Sequence, residues 1–388
     1  MTDFDLSQAD DVQKFLSGGP FDSQQVSQVV GGGGNYTFRL KLTSPHAGHR
    51  TAILKHGKPY IPGMRDVAFD VERQHFEVEA MKATRKMLPP HSLITAPEIY
   101  LYDKTANIII MEDAASGPDT FTLTLKDYLL RTDSSHPSPP TESIMRTVGS
   151  ALGQFLSVLH KWGMDPEQRS VLDFFEGNKQ ARTLSAWVTY GRLRSTLSGS
   201  DTARLSALTD PPFEISADAL RDVDAVAQEM QALIKTSRET LVHGDFWPGN
   251  VLVRFRENAE GEDEVEQMYI VDWELVKPGS RGVEVGQFLG EVHQAQRFCE
   301  PNASFADVLR TSFLSAYRDG IGGEANLDGT AKAAMIHIGA HLITWTPRVW
   351  TQGGKERIRE VVGEGVDFVL NGSKREAVVK SPLGVLLV

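Results

Sequence analysis

"HGDFWPGN", residues 243–250, decides how this chain is read. It sets a His, an Asp and an Asn at its first, third and eighth positions, in a turn between the apolar runs "TLV" and "VLVRF". A plain connection needs only Pro-Gly. The spacing His-x-Asp-x-x-x-x-Asn is that of a phosphoryl-transfer loop, in which the Asp takes the proton of an attacking hydroxyl and the Asn reaches a magnesium ion. His243 and Asp245 are therefore the candidate catalytic residues, and Asn250 is a candidate metal ligand. A hairpin later, "MYIVDWE" brings up a strand ending at Asp272, with Glu274 two residues on and facing the same way. Both are candidate metal ligands, because a hard divalent cation takes oxygen donors.

Working outward, such a loop calls for a cover over the nucleotide phosphates and a cation to hold them, and the first hundred residues offer both. "GGGGNYTF" (31–38) falls where a hairpin tip belongs, and its small residues let backbone amides approach phosphate oxygens, so Gly32, Gly33, Gly34 and Asn35 are candidate nucleotide contacts. Lys55 lies in the otherwise apolar "TAILKH", where an unpaired ammonium is costly and a carboxylate partner is expected. Glu77 on the following helix is the choice, with Glu72 and Glu79 as competitors on other faces. By position, "IIIMEDAAS" is the link between lobes, and the backbone at Glu112 and Ala114 offers adenine an acceptor and a donor.

The chain has 388 residues, 40% of them hydrophobic, which suffices for a large core in one big or two ordinary domains. Short apolar runs with turn signals predict a small sheet before residue 114, and one helix is predicted over "RDVAFDVERQHFEVEAMKATRKML" (65–88). From about residue 120 the periodicity turns helical, with Ile144, Val148, Leu152, Phe155 and Leu159 at helical spacing and further helices near 216–236, 282–297, 303–318, 330–345 and 355–370. The fold class is α+β, with residues 1–114 as a nucleotide-binding lobe and 115–388 as a mainly helical lobe carrying the catalytic loop and acceptor pocket. A net charge of −11 argues against nucleic acid as a partner. One cysteine, an acidic opening and no apolar run of membrane-spanning length set the expectation of a cytoplasmic chain with no membrane partner.

From "GGGGNYTFRL" to "AAMIHIGAHLITW" the chain resembles the aminoglycoside phosphotransferase and choline kinase-like superfamily. Within it, "AILKHGKPYI" and "VERQHFEVEAMK" are similar to methylthioribose kinases, and "YIVDWELVKPG" and "GQFLGE" to fungal hydroxytryptamine kinases. The resemblance implies the two-lobed protein kinase-like fold and transfer of the γ-phosphate of ATP, with Mg2+, to a hydroxyl of a small-molecule alcohol. By it Lys55 and Glu77 form the phosphate-holding ion pair, Asp245 is the base, and Asn250 and Asp272 hold the metal. The family usually has Asp, bracing the catalytic loop, where this chain has Glu284. Trp247, Trp345 and Arg348 are candidate acceptor contacts, since aromatic faces stack rings or cradle ammonium groups. Two alternatives are a nucleotide-binding pseudokinase and a protein kinase. The second is disfavoured because the loop lacks an Arg after its His and no Asp-Phe-Gly follows.

Overall fold

A computed structural model of the chain describes residues 4–29, 33–115, 117, 120–132, 138–201, 203, 205–322 and 326–387. The molecule divides into two compact units, Met1–Leu123 with Leu252–Glu274, and Thr124–Val251 with Leu275–Val388. The break falls at residue 123 rather than 114, and the hairpin after the "HGDFWPGN" loop belongs with the first unit, a return that two contiguous lobes do not capture.

The first unit is built on a five-stranded antiparallel sheet in the order Ser23–Gln28, Tyr36–His46, His49–His56, Ile108–Glu112, Ile99–Asp103. One face of the sheet buries Phe38, Leu40, Ala52, Leu54, Ile108 and Ile110 against Val12 and Leu16 of an N-terminal helix, Ala9–Leu16. Each large apolar side chain fully removed from water there contributes about 1.5–3 kcal/mol. Side chains alternate along a strand, so Lys55, next to Leu54, points to the opposite face. There it meets Glu77 of the helix Arg73–Met87.

That helix starts later than the sequence suggests, because Met64–Ala68 forms a strand paired with Tyr60–Ile61. The β-branched and aromatic residues of "RDVAF" favour a strand, and the Asp70 carboxylate accepts the Glu72 N–H at 3.0 Å in a turn that delays the helix. The hairpin Val251–Glu257 and Asp263–Ile270 joins Ile94–Thr95 and Thr120–Thr124 in a four-stranded sheet.

Helices make up most of the second unit, and each expected segment is present: Ala217–Thr236, Arg281–Phe298, Ala303–Ile321, Asp328–Val349 and Lys355–Asn371. The helix Glu142–Met164, capped by the Thr141 hydroxyl, packs along Ala303–Ile321. Gly149 and Gly153 stand on the shared face, where a Cβ at either would run into the carbonyl of Leu309 or Phe313. The apolar tail packs on its own unit, with Val378, Leu383 and Leu386 buried. Among the described residues no helix is long and apolar enough to cross a membrane.

Candidate active site

In the first unit one buried charge cluster gathers residues far apart in sequence. Lys55 Nζ lies 2.5 Å from Glu77 Oε1 and 2.6 Å from Asp272 Oδ1. Glu79 pairs with Lys82 instead, and Glu72 lies 4.0 Å from Lys104. Burial alone would pull the Lys55 ammonium down, but Asp272, Glu77 and Glu274 outweigh it and hold the group charged, well above the ordinary lysine range. Asp272 is in the left-handed backbone region, φ +67°, where a non-glycine residue costs about 1–2 kcal/mol. Such strain at the end of a strand persists only where neighbours hold it.

Glu274 is buried and receives Arg73 Nε at 2.9 Å and Asn35 Nδ2 at 2.9 Å, both on Oε2. The sequence reading missed Arg73. Its fully buried guanidinium also donates to the Gly34 carbonyl (2.7 Å) and Asn35 Oδ1 (3.2 Å), tying the glycine hairpin to the strand end. A side chain at Gly34 would collide with the Glu274 carboxylate, so the close approach requires glycine. Gly33 is exposed, and Gly32 lies outside the described residues. Glu112 closes the strand Ile108–Glu112, its carboxylate accepting from Tyr269 (2.9 Å), and Ala114 follows it, buried.

Oxygens of Glu77, Asp272 and Glu274 lie within 4.8 Å of one another. Three carboxylates face two cations, Lys55 and Arg73. Burial, then the neighbouring Asp272, pushes the Glu274 carboxyl up to about 8. Glu77 Oε2 is buried without a hydrogen-bond partner. An excess of one carboxylate, all hard oxygen donors and an orphaned oxygen together fit a divalent cation.

The second unit supplies the "HGDFWPGN" loop, which follows the strand Thr240–Val242. His243 is fully buried, and its Nδ1 accepts the Asp245 N–H at 3.2 Å. Gly244 has φ +84°, and a Cβ there would meet the Leu275 carbonyl and Lys277 Nζ, so only glycine fits. Its N–H donates to Glu284 Oε1 (2.9 Å), while Glu284 Oε2 is bonded to His160 Nε2 (2.9 Å) and His160 Nδ1 to the Tyr317 hydroxyl (2.8 Å). The longer Glu therefore does brace the loop. Below it Phe246 is fully buried against Phe155 and Phe288, and Phe288 packs on Phe313 at 4.5 Å between centroids. Such pairs add about 0.5–1.5 kcal/mol each beyond area burial.

Asp245 itself is gripped from both sides. Gln287 Nε2 donates to Oδ1 at 2.6 Å and Asn250 Nδ2 to Oδ2 at 3.0 Å. Asn250 Nδ2 also reaches the Asp245 carbonyl (2.9 Å), leaving its own amide oxygen out of these bonds. Sequence reasoning missed Gln287, although a Gln three residues after Glu284 on one helix face was a signal.

Asp245 opens onto a cavity of about 250 Å³ in the same unit, walled by Trp247, Trp345, Val188 and Val283, with Lys277 and Glu291 among its polar groups. Trp247 and Trp345, expected as acceptor contacts, both line it. Arg348 does not: it pairs with Asp201 (2.6 Å) and donates to Thr196 Oγ1 (3.0 Å), which fixes it in the helical packing. Lys277, Glu291, His337 and His341 also line the cavity and were missed. They come from helices and a short strand with no motif to mark them.

A model of the phosphotransferase enzyme family matches residues 25–328 of the chain. The chain is 31% identical over 347 residues to a 4-hydroxytryptamine kinase of Psilocybe cyanescens, covering 88% of this chain and 86% of the relative. A 4-hydroxytryptamine kinase of Psilocybe cubensis is 30% identical over 344 residues, covering 88% and 85%. Among solved structures, the choline kinase LicA of Streptococcus pneumoniae matches with a TM-score of 0.43 at 14% identity, over 94% of this chain and 97% of that one.

Proposed function

Since this chain belongs to the phosphotransferase enzyme family and is a small-molecule kinase, we propose that it moves the γ-phosphate of ATP, with Mg2+, to a hydroxyl of a small organic alcohol. Asp245 is the general base, and the observation that carries the reading is its carboxylate, fixed by Gln287 and Asn250 at the mouth of an aromatic-walled cavity. Gln287 and Asn250 donate to it through neutral amides and fix the orientation of the carboxylate for accepting a proton. His243 positions the loop by accepting the Asp245 N–H.

In the first unit Lys55, held charged by Glu77 and Asp272, meets phosphate oxygens under the cover of Gly33, Gly34 and Asn35, and Gly32 is assigned to the same cover. The backbone of Glu112 and Ala114 is assigned to adenine. Asp272, with Glu274 and Glu77 beside it, would hold the metal; Asn250 is assigned as a metal ligand through its amide oxygen, which stays out of its bonds to Asp245. When bound, Mg2+ supplies charge neutralisation on the transferring phosphoryl group. The protein's own contribution is position and fixed charge, which is most of what a loose phosphoryl transfer asks for.

The names of the two relatives make 4-hydroxytryptamine the first acceptor to offer, and Trp247 and Trp345, which line the cavity, are assigned to its indole. The test is mass spectrometry of the pure protein with ATP, Mg2+ and separate acceptors: 4-hydroxytryptamine, methylthioribose, choline, homoserine and an aminoglycoside. A phosphomonoester made by the wild type and not by Asp245→Asn supports the reading. No phosphorylated acceptor across the panel contradicts it.

A further inference from the structure

Lys277 lines the cavity and has no role in the mechanism above. It sits in the short strand Lys277–Gly279, paired with Thr240–Val242, which leads directly into the catalytic loop. The side chain is buried, yet among the described residues its ammonium has no carboxylate within ion-pair distance, whereas the buried Lys55 and Arg73 both do. Two of its three donors go to Ser185 Oγ (2.9 Å) and the Leu275 carbonyl (3.1 Å). Nζ also lies against the catalytic loop, since a Cβ built on Gly244, the residue before Asp245, would be 2.5 Å from it. A buried ammonium satisfied only by neutral oxygens costs stability, and packing alone is served better by an aliphatic residue.

We propose that Lys277 is a second catalytic residue, whose ammonium donates its remaining hydrogen bond to the acceptor hydroxyl oxygen from which Asp245 removes the proton. This rests on the kinase reading above and deepens it. In the step, the acceptor O–H bond breaks and its proton goes to Asp245. A bond forms between that oxygen and the γ-phosphorus, the bond from phosphorus to the β,γ-bridging oxygen breaks, and ADP leaves with that electron pair. Lys277 keeps its protons throughout and stabilises the charge that builds on the acceptor oxygen. Burial lowers its pKa to about 8 against the pull of Glu284 and Asp245, so the group remains mostly protonated at neutral pH. The arrangement suits an acceptor whose hydroxyl carries appreciable negative charge on the way to transfer, as a phenol does.

The experiment uses whichever panel acceptor the wild type phosphorylates and a fluorinated analogue whose hydroxyl ionises more readily, with wild type, Lys277→Met and Ser185→Ala compared at saturating ATP. Lys277→Met is expected to lower kcat on the parent acceptor about 10²-fold, the scale of one lost electrostatic donor, with the KM for ATP unchanged. The fluorinated acceptor should recover about 10-fold of that loss, because it needs less help to carry charge. Ser185→Ala, which only loosens Nζ, should show a smaller loss with the same recovery, and it decides the matter if Lys277→Met does not fold. Equal losses on both acceptors, or no loss, overturn the role of Lys277 while leaving the kinase reading intact. A wild type that phosphorylates no acceptor overturns both.

Discussion

Glu284 shows how much one side chain decides. One carboxylate serves the Gly244 N–H and His160 at once, and its length is what lets it span them. Glu284→Asp, shorter by one methylene, is expected to keep one bond and lose the other, and Glu284→Ala to lose both. Each buried group left unsatisfied costs about 1–3 kcal/mol, so urea midpoints should rank wild type above Asp above Ala. An Asp variant as stable as wild type would show that the second bond contributes nothing. His337 makes a prediction in pH. It is buried against the Tyr190 hydroxyl at 2.9 Å, and burial, with His341 and Lys277 nearby, pushes its pKa down from 6.5 to about 3. The unfolded chain therefore binds the proton first as pH falls. The stability linked to this group is complete above about pH 6.5 and is lost toward pH 3, by up to about 1.4 kcal/mol per unit. His337→Gln should flatten the fall of unfolding free energy between pH 6.5 and 4, and an unchanged slope would contradict the assignment.

At the scale of elements, the helix pair Glu142–Met164 and Ala303–Ile321 is set by Gly149 and Gly153. Alanine at Gly153 gains up to about 1 kcal/mol in helix propensity. Its Cβ would meet the Phe313 carbonyl, however, and overpacking costs about 1–3 kcal/mol. The second effect should win, and Gly153→Ala should lower the melting temperature. A rise would mean that the helices part freely. This interface was not legible in the sequence, because glycines at positions four apart announce a close approach without naming the partner. The helical segments of the second half were legible, Glu142–Met164 from the helical spacing of Ile144, Val148, Leu152, Phe155 and Leu159. The start of the Arg73–Met87 helix was not, because no Gly or Pro separates it from the Met64–Ala68 strand that precedes it.

Across the whole molecule, each unit carries one part of the chemistry, and the legible parts were those with a motif. Lys55, Asp272, Asp245 and Asn250 stand out as candidates because strand and turn signals frame them. Arg73, Gln287 and Lys277 do not, because each stands in a regular helix or strand and is recognised only by what it touches. The charge cluster of the first unit makes its own prediction. With Asp272→Asn, Lys55 keeps Glu77 but one carboxylate of three is lost. Mg2+ dependence of ATP binding, followed by titration calorimetry, should weaken by 10-fold or more, since a lost charged oxygen ligand costs on the order of 1–3 kcal/mol. Unchanged dependence would remove Asp272 from the metal site.

In the proposed reaction Asp245 takes the acceptor proton while the first unit holds the nucleotide. The most direct test is Asp245→Asn, with ATP affinity and single-turnover phosphorylation of the acceptor measured on the same preparation. Asn is nearly isosteric and keeps an oxygen for Gln287 or Asn250, so the loop should stand. The expected result is an ATP Kd within about twofold of wild type and a transfer rate lower by roughly 10²-fold or more, the scale of a general base. Transfer at close to the wild-type rate would contradict it.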